Sequence, residues 1–281
     1  MDSLITPFQF EFFRNGTIAA MLVGALCGLI GVYIVLRGMS YIGHGLSHAV
    51  FGGAVVAYVM TWNFYVGAGL WGFLAALLIN QTVRRTRINA DAAIGVVTTA
   101  SFAIGVALIS RYRRFTRSFD AALFGNVLGV TAADVLVIAA VTLLVAGIIF
   151  FTYKQLLFTT FDADVARAYG VRTEWIDTLF ALALAAAIIA SMQVLGVTMI
   201  AAAIVIPAIT ARLLTDSFNR LVLLSTGLGA LTGLLGMYAS FYIDVSSGAT
   251  IVLLQAILFG LVLAVTSLRQ RAAHRLLNSH L

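Results

Sequence analysis

Apolar runs long enough to cross a lipid bilayer follow one another along almost the whole chain. A membrane-spanning helix needs about 20 predominantly apolar residues, and 62% of the 281 residues are apolar against 10% charged. The runs predict spans near residues 17–36, 44–60, 64–80, 91–110, 134–151, 176–195, 198–214, 221–242 and 249–267. The chain is therefore predicted to be an all-α, polytopic integral membrane helix bundle with about nine spans, or eight if one run does not cross. Little sequence is left for a soluble domain, so residues 1–281 are expected to form a single transmembrane domain.

The distribution of basic residues predicts how this bundle is oriented. Cytoplasmic loops of membrane proteins are rich in Lys and Arg. If the polar connection at residues 152–175 is cytoplasmic, twelve of the 17 basic residues fall on that side. This places the N-terminus outside and the C-terminus inside. Residues 1–13 lack the basic start and the cleavage site of a removable signal peptide, so we expect them to be retained.

One short loop conflicts with this orientation. Arg111, Arg113, Arg114 and Arg117 follow the fourth predicted span, on the outer side. Either the number of spans differs by one, or the basic loop has a binding partner. That partner would be an acidic delivery protein or the phosphate groups of lipids. Residues 123–129 are too short to span and too apolar to be fully solvated, so we expect a short helix at the same outer face.

The polar connection after the fifth predicted span contains a short amphipathic segment. Phe161–Gly170 ends at a glycine, which favours a short helix, although an ordinary solvated connection has a similar composition. Within the spans, Pro207 predicts a kink in the seventh. Glycines four residues apart, as in Gly24–Gly28 and Gly229–Gly233, predict close helix packing without locating a dimer interface.

His44 and His48 are the only paired ionisable residues predicted to face the interior of a span. They stand four residues apart at the start of the second span, so a helix places both imidazoles on one face. Two histidines at this spacing can chelate one metal ion. The pattern is weak in a soluble protein, but ionisable residues inside membranes are rare and usually functional, so the pair predicts a metal pathway. Ser47 is expected to bond to its own backbone, and the single cysteine, Cys27, to be a small buried side chain.

The chain lacks the means to use ATP by itself. It has no Gly-x-x-x-x-Gly-Lys-Ser/Thr phosphate-binding loop, and its only lysine, Lys154, is followed by Gln155. No nucleophile–base pair or cysteine cluster indicates an enzyme, and we expect no nucleic-acid partner and no permanently bound cofactor. Two alternatives to an ATP-driven permease stay open. A proton-coupled secondary metal transporter should have inverted repeats and intramembrane carboxylates, and a membrane scaffold or enzyme subunit would make the histidines structural or cofactor ligands.

Several stretches of the chain resemble the permeases of manganese/zinc ABC importers. The stretches occur in the same order as in that family and extend over nearly the whole chain. They are Val35–Val50, Leu123–Asn126, Phe161–Gly170, Gln193–Thr198, Ile206–Leu213 and Asp244–Val252. The resemblance implies a type II ABC importer-like fold in the cell membrane of a prokaryote. It also implies a second copy of the permease, two cytoplasmic ATPase subunits and an extracytoplasmic metal-binding protein. In such permeases the segment near residues 162–172 is the coupling helix that docks on the ATPase, which here implies roles for Asp162, Asp164, Val165, Ala166, Tyr169 and Gly170.

The resemblance is less specific for the transported metal. The family's second-span motif usually has the form Gly-Asp-x-x-Ser-His-Ala, in which the aspartate and the histidine are associated with the metal pathway. His48 matches that histidine, whereas His44 stands in place of the aspartate. Imidazole nitrogens favour zinc and carboxylate oxygens favour manganese. We therefore expect the transported ion to be Zn²⁺ or Mn²⁺, with iron also open.

Overall fold

A computed structural model describes residues 6–85, 90–112 and 123–278, and this part of the chain is a bundle of helices without strands. Nine of its helices are long and apolar enough to cross a membrane, which confirms the predicted spans. In chain order the helices are α1 (Glu11–Leu36), α2 (Ser40–Val59), α3 (Phe64–Arg85), α4 (Ala90–Tyr112), α5 (Ala132–Phe161), α6 (Ala163–Ala168), α7 (Thr173–Leu195), α8 (Val197–Leu214), α9 (Phe218–Ile243) and α10 (Ser247–Asn278), with short 3₁₀ turns at Thr6–Gln9 and Val127–Gly129.

Helices α1, α2 and α7 form the centre of the bundle, since they have the largest buried share of the spans. α1 packs against α5, α7, α8 and α9, and α2 packs against α3, α4, α7 and α8. α5 and α10 lie at the periphery and leave most of their apolar surface exposed, as expected for helices that face lipid or a partner. α8 continues through Pro207 without ending there.

Glycine contacts hold α1 and α9 together. Gly24 of α1 lies directly against Gly229 of α9, and a side chain on either residue would overlap the carbonyl group of the other. One turn along, Gly28 lies against Ser225, whose hydroxyl donates a hydrogen bond of 2.6 Å to the Gly28 carbonyl. The two small-residue motifs of the sequence therefore pack against each other within one protomer, which explains the close packing that their spacing predicts.

The two ends of the bundle differ in their number of basic residues. The end that contains α6, called the α6 end below, also has Arg37 at the end of α1, Arg212 at the end of α8 and Arg220 at the start of α9. The opposite end has Arg14 near the start of α1 and Arg111 near the end of α4. This asymmetry agrees with an α6 end that faces the cytoplasm.

The connection at residues 123–130 lies at the end opposite α6 and is helical at residues 123–124 and 127–129 instead of forming one continuous short helix. It forms one 3₁₀ turn at Val127–Gly129, and the Asn126 amide donates a hydrogen bond of 2.8 Å to the Gln193 carbonyl at the end of α7. Gly196, the single residue between α7 and α8, has a φ of +73°, and a side chain there would overlap the backbone of the connection. The segment is therefore fixed to the α7–α8 corner, while Phe124 stays 48% exposed at the surface.

Candidate metal pathway and coupling surface

His44 and His48 bring their imidazole rings together on one face of α2. Their Nε2 atoms are 3.3 Å apart, and the ring centroids are 4.6 Å apart with the ring planes at 85°. A tetrahedral ion with metal–nitrogen distances of about 2.0–2.1 Å holds two ligand nitrogens about 3.3–3.4 Å apart. Without an ion, a neutral pair can share an N–H···N contact at this separation. The two side chains thus have the separation of a two-nitrogen chelate, as their spacing in the sequence predicts.

The histidine pair borders a cavity of about 560 Å³ between α2 and α4. The lining residues are His44, Gly45, His48, Ile94, Gly95, Thr98, Thr99 and Phe102. His48 is half-buried, and its ring packs edge-on against the ring of Phe102 with the centroids 5.0 Å apart. Gly45 lets Ile94 approach α2 closely, because any side chain there would overlap it. His44 is exposed, so an ion can reach the pair from outside the protomer.

One protomer offers two nitrogen ligands but no complete metal site in its described part. No group of three His, Cys, Asp or Glu side chains that could hold an ion occurs there. The Ser47 hydroxyl donates a hydrogen bond of 2.6 Å to the Gly43 carbonyl, which confirms the prediction that Ser47 bonds to its own backbone. The Nδ1 atom of His48 is buried and has no hydrogen-bond partner among the described residues, whereas tightly held metal ligands donate their second ring nitrogen to an acceptor. This arrangement suits transient binding of an ion better than permanent binding.

α6 confirms the short helix predicted for the connection between the fifth and sixth spans. Asp162 is its N-cap, and the Asp162 carboxylate accepts hydrogen bonds from the amides of Asp164 at 3.1 Å and Val165 at 2.9 Å. Gly170 has a φ of +81°, the left-handed conformation that commonly follows the end of a helix. The conformation of the segment is therefore fixed at both ends by its own residues.

The exposed side of α6 carries both apolar and charged side chains, and one apolar residue predicted to lie there is buried instead. Tyr169 is 79% exposed and Val165 is 41% exposed, whereas Ala166 is completely buried. In this structure the Ala166 methyl group therefore lies on the side of α6 that packs against α5 and α7, and its predicted contact with the ATPase stays a prediction. Phe161 and Trp175, which flank α6 in the sequence, are also apolar and are 68% and 62% exposed. Sequence reasoning missed both, although aromatic residues at the borders of a short polar connection are the available signal.

The predicted docking surface for a delivery protein lies mainly outside the described residues. Arg113, Arg114 and Arg117 are not among the residues that the structure describes. Arg111 is exposed in the last turn of α4, at the end of the bundle opposite α6. Docking at this loop stays a prediction.

A second cavity, of about 680 Å³, opens at the end opposite α6 and was not predicted from the sequence. It lies between the start of α1, the 123–130 connection and the α9–α10 turn, with the rings of Phe12 and Phe241 and the polar side chains of Asn126 and Asp244 in its wall. Asp244 has a φ of +58° at the C-terminus of α9. The only signal in the sequence was a single aspartate in an otherwise uncharged turn.

Arg37 is buried at the α6 end, where sequence reasoning treated it only as one of the basic loop residues. Its side chain is 9% exposed. Its Nη1 atom donates to the Asp177 carboxylate at 2.8 Å, and its Nε atom donates to the Thr160 hydroxyl at 3.0 Å. The guanidinium carbon lies 4.7 Å from the ring centroid of Phe180. One side chain therefore joins the end of α1 to the end of α5 and the start of α7.

Nearly the whole chain is similar to known membrane proteins of transport systems. Residues 9–266 match the model of the ABC 3 transport family. The chain is 36% identical over 251 residues to the manganese transport system membrane protein MntC of Listeria monocytogenes, with 89% of each chain covered. It is 34% identical over 270 residues to a probable iron transport system membrane protein of Haemophilus influenzae, which covers 96% of this chain and 99% of that one. PsaBC from Streptococcus pneumoniae, solved in complex with Fab, superposes with a TM-score of 0.84 at 32% identity and covers 93% of this chain and 94% of that chain.

Proposed function

Because the chain belongs to the ABC 3 transport family, we propose that it is the membrane-spanning permease of an ATP-driven importer and that its cargo is a divalent transition-metal ion. The observation that supports a metal ion as the cargo is the His44–His48 pair, whose Nε2 atoms lie 3.3 Å apart in a span-length helix. Ionisable side chains at membrane depth are costly and usually mark the path of an ion.

The incomplete ligand set supports a site that is shared by two copies of the permease. One protomer presents two imidazole nitrogens beside the exposed face of α4, whereas a four-coordinate ion needs four ligands. A second copy, related by a two-fold axis next to this face, would add the same two nitrogens because an isologous interface pairs a surface with itself. A site built from two chains opens when the chains move apart, so the ion can be released.

ATP hydrolysis belongs to separate chains in this proposal, since the sequence lacks a phosphate-binding loop. The surface that docks each of two ATPase subunits is the outer side of α6, where Val165 and Tyr169 are exposed between Phe161 and Trp175. Asp164 is paired with Arg167 at 3.2 Å in an exposed position beside this apolar patch, so it forms part of the polar rim. An extracytoplasmic metal-binding protein would deliver the ion at the opposite end.

Two observations bear on the identity of the ion, and they point in different directions. The relatives are named for manganese and for iron. In this chain, however, the residue at the position of the usual family aspartate is His44, and nitrogen ligands suit late transition metals better than they suit manganese. We place Zn²⁺ first, with Mn²⁺ and Fe²⁺ as the competing ions.

ATP-dependent uptake by the reconstituted complex tests this function. The permease is purified with its co-purifying ATPase subunits, placed in lipid vesicles and supplied with Zn²⁺, Mn²⁺ or Fe²⁺ on the delivery protein. We expect uptake of at least one ion that requires ATP hydrolysis, and an intact mass that corresponds to two permeases and two ATPase subunits. Uptake driven by a proton gradient without ATP would support a secondary transporter instead, and a transport-competent permease without ATPase subunits would contradict the proposal.

Replacing His44 with aspartate should shift the ion preference from zinc toward manganese. The variant restores the usual family pair and exchanges a nitrogen ligand for an oxygen ligand in each protomer. We expect the ratio of Mn²⁺ to Zn²⁺ uptake to rise roughly tenfold, which corresponds to about 1.4 kcal/mol of differential affinity. The measurement is uptake from an equimolar mixture of the two ions. An unchanged ratio in an active variant would mean that the ion is selected elsewhere, for example by the delivery protein.

A further inference from the structure

The end of α1 is joined to the metal-bearing helix α2 by a short, fully hydrogen-bonded turn. Gly38 has a φ of +66°, and its amide donates to the Val35 carbonyl at 3.2 Å, while the Met39 amide donates to the Ile34 carbonyl at 3.0 Å. These two bonds define a Schellman motif, which fixes the direction in which the chain leaves a helix. α2 begins at the next residue, Ser40. A displacement of the end of α1 is therefore passed directly to the first turns of α2, which contain both histidines.

Arg37, in the same turn, contacts both helices that hold α6. Thr160 lies in the last turn of α5, two positions before the α6 N-cap Asp162, while Asp177 and Phe180 lie about one turn apart near the start of α7. α6 itself packs only against α5 and α7 among the described elements for which contacts are substantial. A force applied to α6 thus reaches the Arg37 side chain through either neighbour.

The contacts of Arg37 are strong and specific to an arginine. The bond to the Asp177 carboxylate is charge-assisted and lies between the buried Arg37 side chain and a carboxylate that is 37% exposed, so it is stronger than a neutral hydrogen bond. The Thr160 hydroxyl donates to the Leu156 carbonyl at 2.6 Å, which leaves its lone pairs to accept from Arg37. A lysine ammonium has three donors but lacks the planar guanidinium group that bonds through two different nitrogens and stacks on the Phe180 ring. The remaining Nη2 atom of Arg37 is buried without an acceptor in the described part of the chain, so it is free to gain one when the helix ends move.

We propose that Arg37 is the positioning residue that transmits movement of α6 to the metal-bearing helix α2 and so couples ATP hydrolysis to opening of the metal site. The proposal rests on the proposed function for α6 and for the histidine pair. Arg37 contacts neither the ion nor ATP in this scheme, because it acts through Thr160, Asp177 and the turn that precedes α2.

The first test compares metal uptake with ATP hydrolysis in the same vesicles. Arg37→Met keeps an unbranched side chain against Phe180 but removes the charge and both hydrogen bonds. We expect the number of ions taken up per ATP hydrolysed to fall about tenfold, within the 5–150-fold range typical of coupling between two sites, while ATP hydrolysis by the assembled complex continues. Thr160→Val and Asp177→Asn should each have a smaller effect of the same kind.

The matched control is Arg212→Met. Arg212 also forms an ion pair at the α6 end, with Asp216 at 3.4 Å, but that pair is exposed and lies within one helix end. The Arg212→Met variant should leave the ratio of metal uptake to ATP hydrolysis unchanged. If uptake and hydrolysis in Arg37→Met instead fall together with the amount of assembled complex, Arg37 is only structural and the inference is overturned.

A second test needs no metal. Cys27 is buried and is the only cysteine of the chain, so a cysteine introduced at Thr99, which lines the cavity beside the histidines, adds the one thiol of the permease that can report on this cavity. We expect ATP to change its rate of reaction with a small thiol reagent several-fold, and Arg37→Met to remove that change while ATP is still hydrolysed. An ATP-dependent change that persists in Arg37→Met would overturn the inference. Normal labelling behaviour in a complex that takes up no metal would overturn the proposed cargo alone.

Discussion

Replacing His48 with alanine should abolish metal uptake while the permease still folds and assembles with its ATPase subunits. The variant removes one of the two nitrogens that lie 3.3 Å apart, and a shared site would lose two of its four nitrogens. Removing a residue that only hydrogen-bonds to a metal ligand lowers metal affinity or activity about 10–100-fold. Removing the ligand itself should therefore lower uptake about 100-fold or more. The measurement is the initial rate of metal uptake by vesicles that contain equal amounts of assembled complex.

Ser47→Ala is the control for this experiment. Ser47 adjoins His48 and is buried, and its hydroxyl bonds to the Gly43 carbonyl of the same helix. The control variant should transport like the wild-type chain. Normal uptake by His48→Ala would exclude the histidine pair from the pathway, and an equal loss in Ser47→Ala would assign the effect to the packing of α2 instead of the metal.

The spans and the histidine pair could be predicted from the sequence because their physical causes are local. A bilayer forces every backbone polar group to bond within its own segment, so a long apolar run has one structural outcome. Two residues four positions apart on a helix are neighbours whatever surrounds them, which is why His44 and His48 meet as predicted. Asp162 and Gly170 likewise set the bounds of α6 through local capping.

The remaining features depend on contacts between segments that are distant in the sequence. Ala166 is buried because a six-residue helix must place one side against α5 and α7, and its own sequence does not specify which side. Arg37 lies 140 positions from Asp177, so nothing near Arg37 indicates that it is buried and paired. The cavity beside His48 likewise needs Phe102 of α4. α4 packs against α2 although α3 separates the two helices in the sequence.

The pairing of α1 with α9 is another long-range contact, and it leads to a large expected effect on stability. Gly229→Ala should destabilise the bundle, because the added methyl group would overlap the Gly24 carbonyl, which belongs to a rigid helix backbone. Extra methyl groups in a well-packed core typically cost about 1–3 kcal/mol, and the upper part of that range is expected where no flexible side chain can move aside. Gly24→Ala should behave in the same way, since its methyl group would overlap the Gly229 carbonyl. The measurement is the midpoint of thermal unfolding in detergent.

Gly227→Ala supplies the matched comparison, because it adds the same methyl group to the same helix two positions away. Apart from its chain neighbours and the backbone of its own helix, no atom of the described residues would lie within 4 Å of a methyl group at this position, and alanine favours a helix over glycine by about 0.8–1.0 kcal/mol in soluble hosts. The midpoint should therefore stay constant or rise in Gly227→Ala and fall in Gly229→Ala. If both variants unfold at the same temperature, the close approach of α1 and α9 does not contribute to stability. If only Gly229→Ala is destabilised, the two small-residue motifs hold together one protomer, and the surface that pairs two permeases has to be sought elsewhere, on the exposed side of α4 that borders the histidines.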